Sequence, residues 1–166
     1  MQFIICRRQL AWTSVFALLG ASGLFAGPVE AQQLVNGCKI QPRTECSNAG
    51  LAKADLASAR MNDSKLAGAD FSGANLAGAD LYSANLARAK FVGANLTKAI
   101  LARSNLANAD LSNADLTAAN VRAADLRGAN LLKAQLSRAD LTYADLSGAI
   151  WSDGRTCGPN SIGECN

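Results

Sequence analysis

From Ala49 to Asp153 the chain repeats itself every five residues without a single insertion. The central positions, Leu51, Leu56, Met61, Leu66, Phe71 and so on to Leu146 and Trp151, number 21, and all are apolar: 16 Leu, two Phe and one each of Met, Val and Trp. Two residues before the centre stands Ala in 19 of the 21, with Ser64 and Ser104 as the exceptions. The residue immediately before the centre is Asp or Asn in 14 of the 21. A short exact period of this kind decides architecture before any other property is weighed.

Neither regular element buries this pattern. On an α-helix, a step of five turns each centre by about 140° from the last, scattering leucines around the cylinder. On a straight strand, an odd step flips successive centres to opposite faces. Within one repeat, however, the Ala and the centre are two apart and share a face, with the Asp or Asn between them pointing out. The chain must bend once per repeat to bring the next pair inward. The result is a solenoid whose narrow core is Leu or Phe lined by Ala.

Ala69-Asp70-Phe71-Ser72-Gly73 and Ala74-Asn75-Leu76-Ala77-Gly78 match the motif A-[D/N]-[L/F]-x-x, and the chain resembles the pentapeptide repeat family on that ground. The resemblance implies an all-β fold, a right-handed quadrilateral β-helix with four repeats per coil and about five coils. At roughly 4.8 Å per stacked strand the rod is about 25 Å long. Twenty-residue coils turn the sequence into columns. Phe71 then lies over Phe91 in one column that ends at Trp151, giving a core stack and a lid. In the same column Asp70, Lys90 and Asp110 alternate in charge outside. Gly50, Arg60, Lys65, Lys90, Ile100, Gln135 and Ile150 replace Asp or Asn at positions outside the core.

Four organisational segments follow: a signal peptide at 1–31, an N-terminal cap at 32–48, the repeats at 49–153 and a C-terminal cap at 154–166. Arg7 and Arg8 precede an apolar run from Leu10 to Phe25, and Val29-Glu30-Ala31 supplies small residues for cleavage before Gln32. The run is shorter than the roughly twenty residues that a membrane span needs. This reading discards Cys6 and sends a mature, monomeric chain without membrane insertion to the periplasm or outside the cell.

Cys38, Cys46, Cys157 and Cys165 remain, in two pairs of equal spacing at the two flanks. The implied rod holds the flanks about 25 Å apart, whereas bridged Cα atoms lie within roughly 7 Å. Only Cys38–Cys46 and Cys157–Cys165 fit, and the oxidising location permits them. The Trp151 to Cys165 stretch and the Asn36-Gly37-Cys38 stretch also resemble the ends of exported members of the family.

Chemistry is scarce. The sequence has no histidine, so the commonest general base and metal ligand are missing. No phosphate loop, nucleophile elbow or calcium loop occurs. Neither a catalytic residue, a metal site nor a cofactor is expected. Asp125 and Asp145 fall in adjacent coils and read as a solvated, mildly repulsive pair. One wall collects Arg60, Tyr82, Ile100, Arg103, Arg122 and Tyr143, side chains of the kind enriched at interfaces, and is the candidate partner surface. The expected function is a non-enzymatic, exported module that binds an unknown protein or acts as a scaffold. The alternative of a DNA-mimicking inhibitor of an enzyme such as gyrase, known in the family, needs acidic sides. The repeats carry 11 basic and 10 acidic residues, and export leads away from such a target. A secreted effector is a further alternative. A formal charge of +3 gives no footprint for nucleic acid.

Overall fold

The structure is a computed structural model and describes residues 33–166. The signal-peptide reading of 1–31 lies outside the described residues.

The N-terminal cap opens with a hairpin. Strand β1 (Gln33–Val35) pairs antiparallel with β2 (Cys38–Ile40), Val35 opposite Cys38. The two-residue turn between them is Asn36-Gly37, with φ of 47° and 81°. Both angles are left-handed, as a type I′ hairpin requires, and Asn-Gly is the pair that adopts them at least cost. Cys38 and Ile40 face inward and Lys39 outward.

Beyond the hairpin every repeat pairs with the repeat twenty residues on, in parallel, from Glu45↔Lys65 to Asn130↔Ile150. The coil is therefore four repeats long, and the fold is the right-handed quadrilateral β-helix. Its walls carry the centres from Leu51 to Trp151, from Leu56 to Leu136, from Met61 to Leu141 and from Leu66 to Leu146; these are the first to fourth walls below. Coil geometry begins before the Ala-rich pattern does: Glu45 is paired and Asn48 has a φ of 59°, with Cys46 in the place of a centre.

The backbone amides explain the five-residue period. The Leu56 amide, at a centre, donates to Asn75 of the next coil at 2.7 Å, and the Ser58 amide donates to Ala77 at 2.8 Å. The Ala59 amide closes the turn onto the Leu56 carbonyl at 3.1 Å, and the Asp80 amide reaches back to Ala59 at 2.9 Å. One amide per repeat, just after the centre, has no backbone acceptor within this scheme. The Asp or Asn before the centre accepts from it, as in Ser72 to Asp70 Oδ1 at 2.9 Å and Thr97 to Asn95 Oδ1 at 3.0 Å. All fourteen Asp and Asn residues in that column do the same. A short side chain that reaches its own backbone two residues on is the Asx turn, and that is the chemical content of the motif's second position.

The bend falls at the second residue after the centre, which takes φ near +60°. Glycine fills it at Gly68, Gly73, Gly78, Gly93, Gly128 and Gly148, but residues such as Lys53, Arg88, Ala118 and Tyr143 adopt it too. Interlocking hydrogen bonds from adjacent coils hold these side chains where they would not go alone.

The core is dry and uniform. Leu centres from Leu51 to Leu131 are at most 2% exposed, each worth about 1.5–3 kcal/mol relative to exposure. Phe71 and Phe91 stack within it. The two serines among the alanines are satisfied inside: Ser64 Oγ accepts the Thr44 amide at 3.1 Å, and Ser104 Oγ donates to the Leu101 carbonyl at 2.7 Å. Cys38–Cys46 (Cα separation 5.7 Å) ties the hairpin to the first coil, and Cys157–Cys165 (4.8 Å) closes the tail. Trp151 is a half-buried centre of the first wall, packed on the core beneath the tail. Among the described residues no helix is long and apolar enough to cross a membrane.

Candidate interaction surface

The third wall brings the six surface residues together on successive rungs. Arg60 lies on the first, Tyr82 on the second, Ile100 and Arg103 on the third, Arg122 on the fourth and Tyr143 on the fifth. Their strands are joined by the ladder Arg60↔Asp80, Asp80↔Ile100, Ile100↔Asn120 and Asn120↔Asp140. Spacing of roughly 4.8 Å per rung spreads the group over about 19 Å. Tyr82 is 37%, Ile100 38% and Tyr143 70% exposed, and the three arginines are exposed as well.

One end of this group is organised. The Arg122 guanidinium lies over the Tyr143 ring, Cζ 5.9 Å from its centroid, and its Nη1 donates to Asp140 Oδ2 at 3.2 Å. The Asp140 carboxyl is held below the usual carboxylate range, first by the Thr142 hydroxyl and amide and then by Arg122. A cation seated between a carboxylate and an aromatic face has little freedom left to lose on binding.

Ile100 breaks the local rule. It occupies the position where Asp or Asn caps the following amide, and an isoleucine cannot do so. Among the described residues the Ala102 amide meets no acceptor, although Ala102 is only 8% exposed, on the rung between those of Tyr82 and Arg122. The wall gains an apolar surface residue and forfeits a hydrogen bond.

The sequence matches the family described as pentapeptide repeats, in eight copies over residues 44–82, 79–117 and 119–150. The chain belongs to the pentapeptide repeat family. Among solved structures it is similar to a pentapeptide repeat protein of the Arabidopsis thaliana thylakoid lumen, with 31% identity and a TM-score of 0.58 over 60% of this chain and 69% of that one. It is also similar to HetL of Nostoc, a pentapeptide repeat protein involved in heterocyst differentiation regulation (33% identity, TM-score 0.42, 68% of this chain and 63% of that one). A third is Rfr23 of Cyanothece (41% identity, TM-score 0.42, 42% and 48%). The chain spans less than two thirds of the length of the latter two. Comparison with curated proteins found no match.

Two surface expectations for this pentapeptide repeat protein are corrected by geometry. Asp125 and Asp145 do pair across adjacent coils, but Arg127 stands between them, 2.6 Å from Asp125 and 3.8 Å from Asp145. Its guanidinium hydrogen bonds hold the Asp125 carboxyl below the usual range. The two carboxylates are bridged by one guanidinium, which offsets their repulsion. The sequence carries the signal, since Arg127 sits beside Asp125, but only the coil places its guanidinium against Asp145.

The alternating column Asp70, Lys90, Asp110 is not an ion-pair ladder either. Among the described residues no ion pair joins Lys90 to its neighbours. Asp70 is instead lowered chiefly by Ser72, with Lys90 the smallest contributor. Asn and Asp do link coils elsewhere: Asn75 Nδ2 donates to Asp55 at 2.9 Å, and Asn130 Nδ2 donates to Asp110 at 3.1 Å. Among the described residues no cluster of His, Cys, Asp and Glu could hold a metal ion.

Proposed function

We propose that this chain is an exported, non-enzymatic binding module whose third wall docks a partner protein. Ile100 carries the reading. An apolar residue stands where Asp80, Asn120 and Asp140 cap neighbouring rungs, on the wall where Tyr82 and the Arg122–Tyr143 pair are also exposed. Departures from a local folding rule without a structural gain point to a use outside the fold. Tyr and Arg are also the side chains that most often anchor interfaces.

Export is supported by the composition of residues 1–31 and by two disulfides, which persist in oxidising compartments. The similar Arabidopsis protein is likewise from a lumen. The balanced charge of the repeats argues against mimicry of DNA. Crosslinked pull-down from the exported fraction tests both halves of the proposal. Retention of every captured partner by a Tyr82→Ala/Arg103→Ala variant would discard the third wall, and finding the chain only in the cytoplasm would discard export.

A further inference from the structure

The C-terminal end of the coil is closed on two walls and open on two. After Trp151 the tail turns back and lays antiparallel contacts on the coil edge, Ile150↔Thr156 and Asp145↔Ile162. There the amides of Leu146, Gly148 and Trp151 donate to the Ser161, Cys157 and Arg155 carbonyls at 2.8, 3.0 and 2.7 Å. On the second and third walls no rung follows. Among the described residues the amides of Leu136, Arg138, Leu141 and Tyr143 and the carbonyls of Ala134 and Ala139 have no backbone partner. One coil earlier the equivalent groups are all paired: the amides of Leu116, Ala118, Val121 and Ala123 donate to Gln135, Ser137, Asp140 and Thr142, and the Ala114 and Ala119 carbonyls accept from Gln135 and Asp140.

Apolar surface is uncovered at the same place. Leu116 and Val121 are 2% exposed, but Leu136 and Leu141, directly above them, are only half-buried. Beside Leu141 a notch of about 490 Å³ opens between Tyr143 on the wall and Ile162 and Gly163 on the tail. Ile162 is 48% exposed.

These features define what fits. These free amides and carbonyls run along two walls that meet at the Arg138 bend, and they call for a strand-like backbone that turns once at that corner, because such a backbone offers donors and acceptors at that spacing. The tail adds one rung to half of the end, so the open half is a step a single strand deep. Flat stacking of a second coil is obstructed by that step. The opposite end of the rod carries the hairpin, with Asn36 Nδ2 already donating to the Gly50 carbonyl at 2.6 Å.

We propose that the open step receives one strand-like segment of a partner protein, bent once at the Arg138 corner, which adds as a rung across residues 134–141 and seats an apolar side chain in the notch between Tyr143 and Ile162. The proposal rests on the third wall as the docking face, since Tyr143 borders both, and it names the form in which the partner arrives. Arg138, which has no ion-pair partner among the described residues, favours an acidic residue near the middle of that segment.

The test uses the disulfide-intact chain and random dodecapeptides displayed on phage, with selected sequences synthesised and amide exchange followed residue by residue. Bound peptide is expected to slow exchange at Leu136, Arg138 and Leu141 by about tenfold or more. Ile162→Lys should weaken peptide binding about tenfold, as loss of the apolar seat implies, and Val92→Ala on the first wall should leave it unchanged. Selection of no binding peptide, or of peptides that leave these three amides unprotected, overturns the proposal. So does concentration-dependent protection of the same amides without peptide, which would mean that a second copy fills the step. If peptides fail while Tyr82→Ala/Arg103→Ala still abolishes partner capture, the third wall stands and only the added rung is lost.

Discussion

Phe71 and Phe91 stack with ring centroids 5.0 Å apart and planes inclined by 4°. They are twenty residues apart in the chain, and their separation is close to the strand spacing of the coil. The stack is thus a direct reading of the repeat geometry from inside the core. Each ring is fully buried, so Phe91→Ala is expected to cost about 3–5 kcal/mol through lost transfer energy and an unfilled cavity. Phe91→Leu, which restores the commonest centre, should cost less. Chemical denaturation of both variants measures the difference.

The amide after each centre gives a second prediction. Asn105→Ile removes the acceptor of the Ala107 amide, now at 3.0 Å, and should destabilise by about 1 kcal/mol. Ile100→Asn does the reverse at Ala102 and should stabilise by about 0.5–1.5 kcal/mol. The same change should weaken partner binding, because it exchanges the apolar surface residue for a cap. A variant that is more stable and binds less is the signature expected if Ile100 is kept for recognition.

Acid should loosen the fold in a defined window. Asp70, Asp125 and Asp140 are held below their ordinary value of 3.8, chiefly by Ser72, Arg127 and Thr142 respectively. With the folded pKa below the unfolded one, the unfolded chain takes up protons first as pH falls. The stabilisation is complete above the ordinary value and drains away as pH drops through the lowered ones. Tm should therefore be level from about pH 7 to pH 5 and fall below about pH 4. Asp125→Asn, which keeps an acceptor for the Arg127 amide but not the charge, should flatten that fall.

Reduction should act locally. Cys157–Cys165 pins the tail that closes the first and fourth walls, and loss of a loop this short is worth roughly 2–3 kcal/mol in the chain-entropy treatment. A repeat protein transmits little of that beyond its neighbouring coil. In Cys165→Ser, amide exchange should quicken first at Leu146 and Gly148, while Phe71 and Phe91 stay protected.

The centres and their alanines were legible in the sequence because they depend on spacing alone, and the disulfide pairs because the rod that the repeat implies holds the two flanks apart. The role of the Asp and Asn column was visible as a pattern but not as chemistry, since the amide it caps is orphaned only once the coil assigns the other four. Arg127 escaped for a related reason: its second carboxylate, Asp145, is adjacent only across a coil. The Asn36-Gly37 turn did carry a local hairpin signal that the repeat overshadowed. At the open end, residues 134–141 depart from the repeat only at Gln135. Their exposure arises from where the tail lies, and a tail held by two antiparallel contacts leaves no periodic trace. The rungs of the third wall follow from the twenty-residue coil, but the Arg122–Asp140 pairing depends on side-chain reach.

The central claim is that the third wall, and not the rod in general, meets the partner. A photocrosslinking residue placed at Ile100 and, separately, at Val92 on the first wall compares two sites of nearly equal exposure, 38% and 37%. In cells exporting the full chain, position 100 should yield a discrete crosslinked product that Tyr82→Ala/Arg103→Ala abolishes, and position 92 should yield none. Equal products from both positions, or a product from position 92 alone, would contradict the account.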